Sequence, residues 1–219
     1  MKNRNIIFDL DGTLIDSSSS ILASFDSSFK ALGMTPKRPL TDEIVGPPLM
    51  VILAILVGTE DAQILNALAQ QFKAHYDTEG YKRATVFPGI EAMLEELATA
   101  ADKLYIATNK RLLPTNRIIS HLGWDRYFSE VYALDYFSPP LANKAQMIGR
   151  ILADQQLPAA CTIYVGDRFE DGVAADENKL DFAFATWGYN DQASGTPPVH
   201  WQRFETPEQL TRGVMNVFA

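Results

Sequence analysis

Ile6-Ile7-Phe8-Asp9-Leu10-Asp11-Gly12-Thr13 is the stretch whose reading decides the fold. Three consecutive apolar residues with no polar alternation suit a strand buried on both faces, as in the interior of a parallel sheet. Comparable apolar runs recur at 104–107, 131–134 and 162–165, with a weaker fifth at 182–185. Helical spacing fills the gaps between the later runs. Met93, Leu94 and Leu97 share one face, as do Ile118, Ile119 and Leu122, and then Ile148, Ile151 and Leu152. Gly123 closes the second of these helices. Strands alternating with helices predict an α/β fold, a doubly wound parallel sheet with right-handed crossovers.

The alternation breaks once. Residues 16–84 carry helical pattern and no convincing strand, far more chain than an ordinary crossover needs. Ser17 to Ser20 offer a cap for a helix through Ile21, Phe25 and Phe29, and Ile64, Leu65, Leu68 and Phe72 form a second amphipathic face. The expected organisation is a core of residues 1–15 and 85–219 with a helical lid of residues 16–84 inserted after the first strand.

Composition narrows the function classes. Of 219 residues 47% are hydrophobic and 21% charged, enough apolar material for a large core without disulfide or metal staples. Cys161 is the only cysteine, so no intramolecular disulfide can form; its place at the start of an apolar run predicts a small buried residue. The net charge of −8, with Lys and Arg scattered, argues against polymeric nucleic acid or an anionic membrane as partner. The apolar stretch after Asn5 is too short for a signal peptide, and the window 47–58 is too short to span a bilayer. A cytoplasmic protein, monomeric or homodimeric, is expected.

Ligands of open α/β sheets bind beyond the carboxyl ends of the strands. Those ends carry Asp9-Leu10-Asp11-Gly12-Thr13, Thr108-Asn109-Lys110 and Gly166-Asp167-Arg168-Phe169-Glu170-Asp171, with Lys144 early in the helix before the last of these strands. Gathering Asp9, Asp11 and Asp167 without a cation would be costly, and an oxygen-only ligand set lacking Cys and His suits Mg2+. Thr108 can donate a hydrogen bond, and Lys144 a point charge, to a phosphoryl group. Asp9 can attack phosphorus to give an aspartyl phosphate, with Asp11 placed to protonate the leaving oxygen and later deprotonate water. A calcium loop starting at Asp9 would need its glycine at position 14, which is Leu14. Asp167 also reads as a helix N-cap with Glu170 as its partner, and Thr108 and Lys144 taken singly read as structural or solvated residues.

In order and spacing, Asp9-Leu10-Asp11-Gly12-Thr13, Thr108, Lys144 and Gly166-Asp167…Asp171 resemble the four motifs of the haloacid dehalogenase-like hydrolase superfamily. The helical insert is similar to the cap of its phosphoglycolate phosphatase-like branch. This resemblance implies a Rossmann-like core and a Mg2+-dependent phosphatase acting on a small phosphorylated metabolite. It casts Asp9 as nucleophile and metal ligand, Asp11 as acid/base and metal ligand through its backbone carbonyl, and Asp167 as the remaining metal carboxylate. By the same resemblance Asp171 would support the metal site, Thr108 and Asn109 would bind phosphate, and Lys144 would neutralise it. Gly46-Pro47-Pro48-Leu49 resembles a cap loop facing the substrate, and Trp187-Gly188-Tyr189 resembles a loop common after the last core strand. A sugar phosphomutase and a non-catalytic phosphate-binding module remain open; a dehalogenase is disfavoured because such members lack the second acid, here Asp11.

Overall fold

The computed structural model describes residues 4–101, 103–189 and 196–217. Its main sheet is built from β1 (Asn5–Phe8), β4 (Lys103–Thr108), β5 (Phe128–Ala133), β6 (Thr162–Gly166), β7 (Asp181–Ala185) and β8 (Gln202–Phe204). The two remaining strands, β2 (Ile15–Asp16) and β3 (Thr85–Val86), pair antiparallel in a separate ribbon. Eight α-helices complete the described chain: α1 (Ser18–Ala31), α2 (Leu49–Val57), α3 (Ala62–Tyr76), α4 (Ile90–Ala100), α5 (Leu112–His121), α6 (Lys144–Asp154), α7 (Phe169–Glu177) and α8 (Pro207–Val217).

The main sheet is parallel throughout, in the order β5-β4-β1-β6-β7-β8. β1 therefore lies at the centre, with its neighbours on one side following it through one set of crossovers and those on the other side through a second set. That reversal of direction is the topological switch at which such sheets open a crevice. Register fixes what meets there: Phe8 is opposite Ile106 on one side and Val165 on the other. Asp9, Thr108 and Asp167 accordingly leave the sheet at the same edge.

Both faces of the sheet are covered, as the unbroken apolar runs require. Ile6, Phe8, Leu104, Ile106, Ile163 and Val165 pack on one side under α4, α5 and α8. Ile7, Tyr105, Ala107 and Tyr164 point the other way, into α6 and α7. A third cluster centres on α1–α3, built on Phe25, Phe29, Leu53, Leu56, Leu68 and Phe72, with Val45 buried in it and Tyr189 packed against it. Phe72 stacks against Tyr76 with ring centroids 5.3 Å apart and lies 4.7 Å from Phe25. The chain enters and leaves this helical segment through the β2–β3 ribbon, where Asp16 faces Thr85.

Several expectations need correction. The strand expected at 131–134 starts at Phe128 and ends at Ala133, with Leu134 opening a 3-10 turn. Cys161 is half-buried at the end of another 3-10 turn, one residue before β6 begins. Ser17 occupies the N-cap of α1 without a side-chain capping bond; Asp16 Oδ1 accepts from the Ser18 N–H (2.9 Å) and hydroxyl (2.7 Å) instead. Among the described residues no single helix is long and apolar enough to cross a membrane. The apolar run of α2 buries Ile52, Leu53, Leu56 and Val57 against its neighbours.

Candidate active site

Asp9 sits at the first position beyond β1, its N–H donating to the Val165 carbonyl (2.8 Å) and so continuing the pairing by one residue. The chain then turns sharply. The Leu10 carbonyl accepts from the N–H of Leu14 (2.9 Å) and Ile15 (3.1 Å), and the Gly12 N–H donates to Ile15 (2.8 Å). Gly12 adopts φ +84°, and a Cβ there would lie 2.3 Å from Asp167 Oδ2. Both the backbone conformation and the lack of space demand glycine. The turn thereby lets Thr13 Oγ1 donate to Asp167 Oδ1 (3.0 Å). Gly188 closes the same site from β7: a Cβ there would fall 2.1 Å from the Gly12 carbonyl oxygen. Its neighbour Tyr189 donates its N–H to Asp167 Oδ2 (2.9 Å).

Three buried carboxylates, Asp9, Asp167 and Asp171, place ligand oxygens within 4.8 Å of one another. One amine is shared by two of them. Lys144 Nζ lies 2.5 Å from Asp171 Oδ1 and 3.1 Å from Asp9 Oδ2. Burial opposes its charge, but Asp171 and Asp9 outweigh that and hold it protonated well above the usual lysine range. Asp171 takes the shorter contact, which leaves Asp9 under-compensated. Burial raises Asp9 to about 6; Lys144 opposes that rise while Asp171 and Asp11 reinforce it. Asp167 is pushed well above the carboxylate range by burial and then by Asp171 and Asp9. Asp9 Oδ1 is buried without a hydrogen-bond partner. An unpartnered buried oxygen beside two further carboxylates, with one amine to offset three charges, fits a hard divalent cation such as Mg2+.

Asp11 stands apart from this trio. Its carboxylate accepts from Lys110 Nζ on both oxygens (3.0 and 2.9 Å) and from the Ser17 hydroxyl. The side chains placed to hold a metal together are therefore those of Asp9, Asp167 and Asp171, while the Asp11 carboxylate turns to Lys110 and Ser17. Asp171 is itself heavily engaged: Oδ1 accepts from Lys144 and from Tyr164 (3.1 Å), and Oδ2 from the Arg168 N–H (3.0 Å). That last bond corrects the alternative reading of Asp167, because Arg168 is the N-cap residue of α7 and Asp171 its partner.

Thr108 is buried at the end of β4, its Oγ1 accepting from the Lys110 N–H (3.2 Å). Asn109 faces the same opening but donates its amide to Glu170 (2.9 Å). Gly46 and Pro47 do reach the site, lining a cavity that also touches Asp11 and Asn109. Gly46 holds φ +128°, and a Cβ there would collide with Arg168 Nε at 2.4 Å. The Arg168 guanidinium donates to the Val45 carbonyl, tying the helical segment to the sheet edge. A second tie joins Arg111 to Asp77, with Arg117 donating to the Asp77 carbonyl.

Sequence reading missed several partners. Lys110 adjoins Thr108 and Asn109, so its position at a strand end was the available signal. Burial works against its charge, yet Asp11 and then Tyr76 raise it to about 12. Tyr76, whose ring lies 4.7 Å from Lys110 Nζ, comes from α3 and carries no local motif. Ser17 and Thr13 bond to residues that only the fold brings near. Trp187 donates its indole N–H to the Thr13 carbonyl (3.0 Å), which places the Trp187–Tyr189 loop against the site.

This sheet order, with acids at the switch point and a helical segment after the first strand, defines a doubly wound α/β protein whose candidate site lies at that switch point. The family model described as haloacid dehalogenase-like hydrolase matches residues 6–185. The chain belongs to that family, in its phosphoglycolate phosphatase-like branch, and is an enzyme of the phosphatase type. It is 32% identical to tyrosine-protein kinase PtkA of Mycobacterium tuberculosis, over 89% of this chain and 68% of that protein. Phosphoglycolate phosphatase of Xylella fastidiosa is 30% identical, with 95% and 92% covered. A haloacid dehalogenase-like family hydrolase from Streptococcus pneumoniae superposes with a TM-score of 0.81 at 31% identity, covering 96% of this chain and 98% of that one.

Proposed function

We propose that the protein is a Mg2+-dependent phosphomonoesterase that hydrolyses a small phosphorylated metabolite through an aspartyl phosphate on Asp9. The observation that carries this reading is the unpartnered Asp9 oxygen at the mouth of a carboxylate trio with a single amine. Asp9, Asp167 and the Asp11 carbonyl would hold the ion, with Asp171 fixing Lys144 and the start of α7. When bound, Mg2+ supplies charge neutralisation for the trio and for the incoming phosphoryl group.

An Asp9 oxygen attacks phosphorus while the bond from phosphorus to the leaving oxygen breaks. Asp11, positioned by Ser17 and Lys110, delivers a proton to that leaving oxygen. Asp11 then takes a proton from water as the water oxygen attacks phosphorus, which releases phosphate and restores Asp9. Thr108, Asn109 and Lys144 orient the phosphoryl oxygens, Lys144 as a point charge shared with Asp171. Residues 16–84 serve as a cap, with Gly46 and Pro47 facing the leaving group and excluding water.

Phosphate release from acetyl phosphate tests this. Mg2+ should stimulate it, EDTA should reverse the stimulation, and Asp9→Asn should abolish it without loss of fold. Near-normal turnover by Asp9→Asn would remove the nucleophile assignment. The phosphomutase alternative shares the first half of the chemistry and differs in the acceptor. Transfer of the phosphoryl group to a second hydroxyl, in place of free phosphate, would identify it.

A further inference from the structure

The cavity beside Asp11 says what kind of group leaves. It lies between the helical segment and the sheet edge, and Ile21, Phe25, Ile44, Ile52, Phe72 and Tyr76 supply its walls from the helical side. Its volume is about 60 Å3. An enclosed apolar cavity holding benzene is roughly 150 Å3, so the part of the leaving group held inside this half-open cavity is smaller than an aromatic ring.

Both cationic side chains that line it are already committed. Lys110 contacts both oxygens of Asp11, and Arg111 makes a two-point ion pair with the partly buried Asp77. A carboxylate entering this cavity would meet apolar side chains and lose its hydration with no free cation to replace it. Taking Lys110 would strip Asp11 of the contact that sets its geometry, and taking Arg111 would strand Asp77. The groove on the other side of Pro47 offers no better partner: it is lined by Glu170 and Glu177, Lys144 is paired with Asp171, and Arg168 donates to Val45 with its unpartnered Nε packed against Gly46. Of the described side chains lining the cavity, one has a buried polar atom without a partner. The Tyr76 hydroxyl is buried with no hydrogen bond of good geometry, although Lys110 and Ser20 lie near it.

We infer that the substrate is the phosphate ester of a compact, uncharged alcohol bearing a second hydroxyl or carbonyl that Tyr76 reads. Phosphate esters with a carboxylate on the leaving group, such as phosphoglycolate, are discriminated against. The inference rests on the phosphatase reading of the same site and sharpens its substrate class. Tyr76 acts here as a specificity residue: its hydroxyl donates to the ester's second oxygen, and its ring keeps Lys110 against Asp11.

Three esters of matched size test it with the full chain and Mg2+: 2-hydroxyethyl phosphate, propyl phosphate and 2-phosphoglycolate. The kcat/KM for 2-hydroxyethyl phosphate should exceed that for 2-phosphoglycolate by about tenfold or more, and should also exceed that for propyl phosphate. Tyr76→Phe should erase the preference over propyl phosphate while keeping the discrimination against the carboxylate. Turnover of 2-phosphoglycolate at an equal or higher kcat/KM overturns the inference. A hydroxyl preference that survives Tyr76→Phe removes Tyr76 from it. Absence of hydrolysis with all three esters and with acetyl phosphate refutes the phosphatase reading itself, a distinct outcome that takes this inference with it.

Discussion

Lys144→Met removes the one amine shared by Asp9 and Asp171 while keeping a side chain of similar length. Both carboxylates are buried, and the lysine is 5% exposed, so solvent does little to screen the loss. Breaking a buried ion pair from one side costs about 3–5 kcal/mol. For a chain of this size that corresponds to a Tm lower by roughly 6–20 °C in the absence of metal. The pH dependence has a definite sign. Asp9 is raised from 3.8 to about 6, so its contribution to stability is present below 3.8 and lost as pH rises through about 6. Removing Lys144 removes the influence that opposes this rise, so the variant's deficit should be larger at pH 7.5 than at pH 5.5, where protons can replace the amine. Mg2+ should restore more stability to the variant than to the wild type, because it meets a larger uncompensated charge. Thermal melts at both pH values, with EDTA or Mg2+, read all of this. A Tm loss below about 2 °C at pH 7.5, or an equal loss at both pH values, would refute the reasoning, since it lies under what one kcal/mol produces.

The remaining predictions concern neighbouring contacts. Thr13→Val deletes the donor to Asp167 Oδ1 and should cost about 1–3 kcal/mol, with weaker Mg2+ binding by calorimetry; unchanged affinity would show that Thr13 does not orient Asp167. Gly188→Ala forces a Cβ against the Gly12 carbonyl oxygen and should destabilise by about 1–3 kcal/mol in urea unfolding; a change within error would show that this loop can shift. Leu53→Ala opens a cavity in the helical cluster and should cost about 2–5 kcal/mol. If α1–α3 act as a cap, Leu53→Ala should also raise KM more than it lowers the Mg2+-induced Tm shift, and equal effects on both would count against a separate cap. In the wild type, the stabilisation by Mg2+ should shrink as pH falls through about 6, because a proton on Asp9 competes with the ion.

The core was legible because buried parallel strands leave an unmistakable trace: unbroken apolar runs, with polar residues at one end. Ile6–Phe8 and the run starting at Thr162 fall where that trace put them. β8 left no such mark, being three residues long with Gln202 and Arg203 exposed. The acids were legible for the same reason, since Asp9, Asp167 and Asp171 each follow a strand closely. Their division of labour came from the family resemblance and from no local pattern. Whether the Asp11 carboxylate joins the trio or turns to Lys110 depends on Ser17 and Lys110, which both donate to it. Tyr76 lies 65 residues from Asp11 in sequence and reaches the site only through the packing of α3 on α1, which no local pattern encodes.

Chemical trapping of the phosphorylated enzyme tests the central claim most directly. Acid quenching during turnover of a phosphate ester, reduction with borohydride and peptide mass spectrometry convert an aspartyl phosphate into homoserine at the labelled position. The account predicts substrate-dependent homoserine at residue 9, and none in Asp9→Asn. Homoserine at another acid, or sustained phosphate release with no trapped residue, would contradict it.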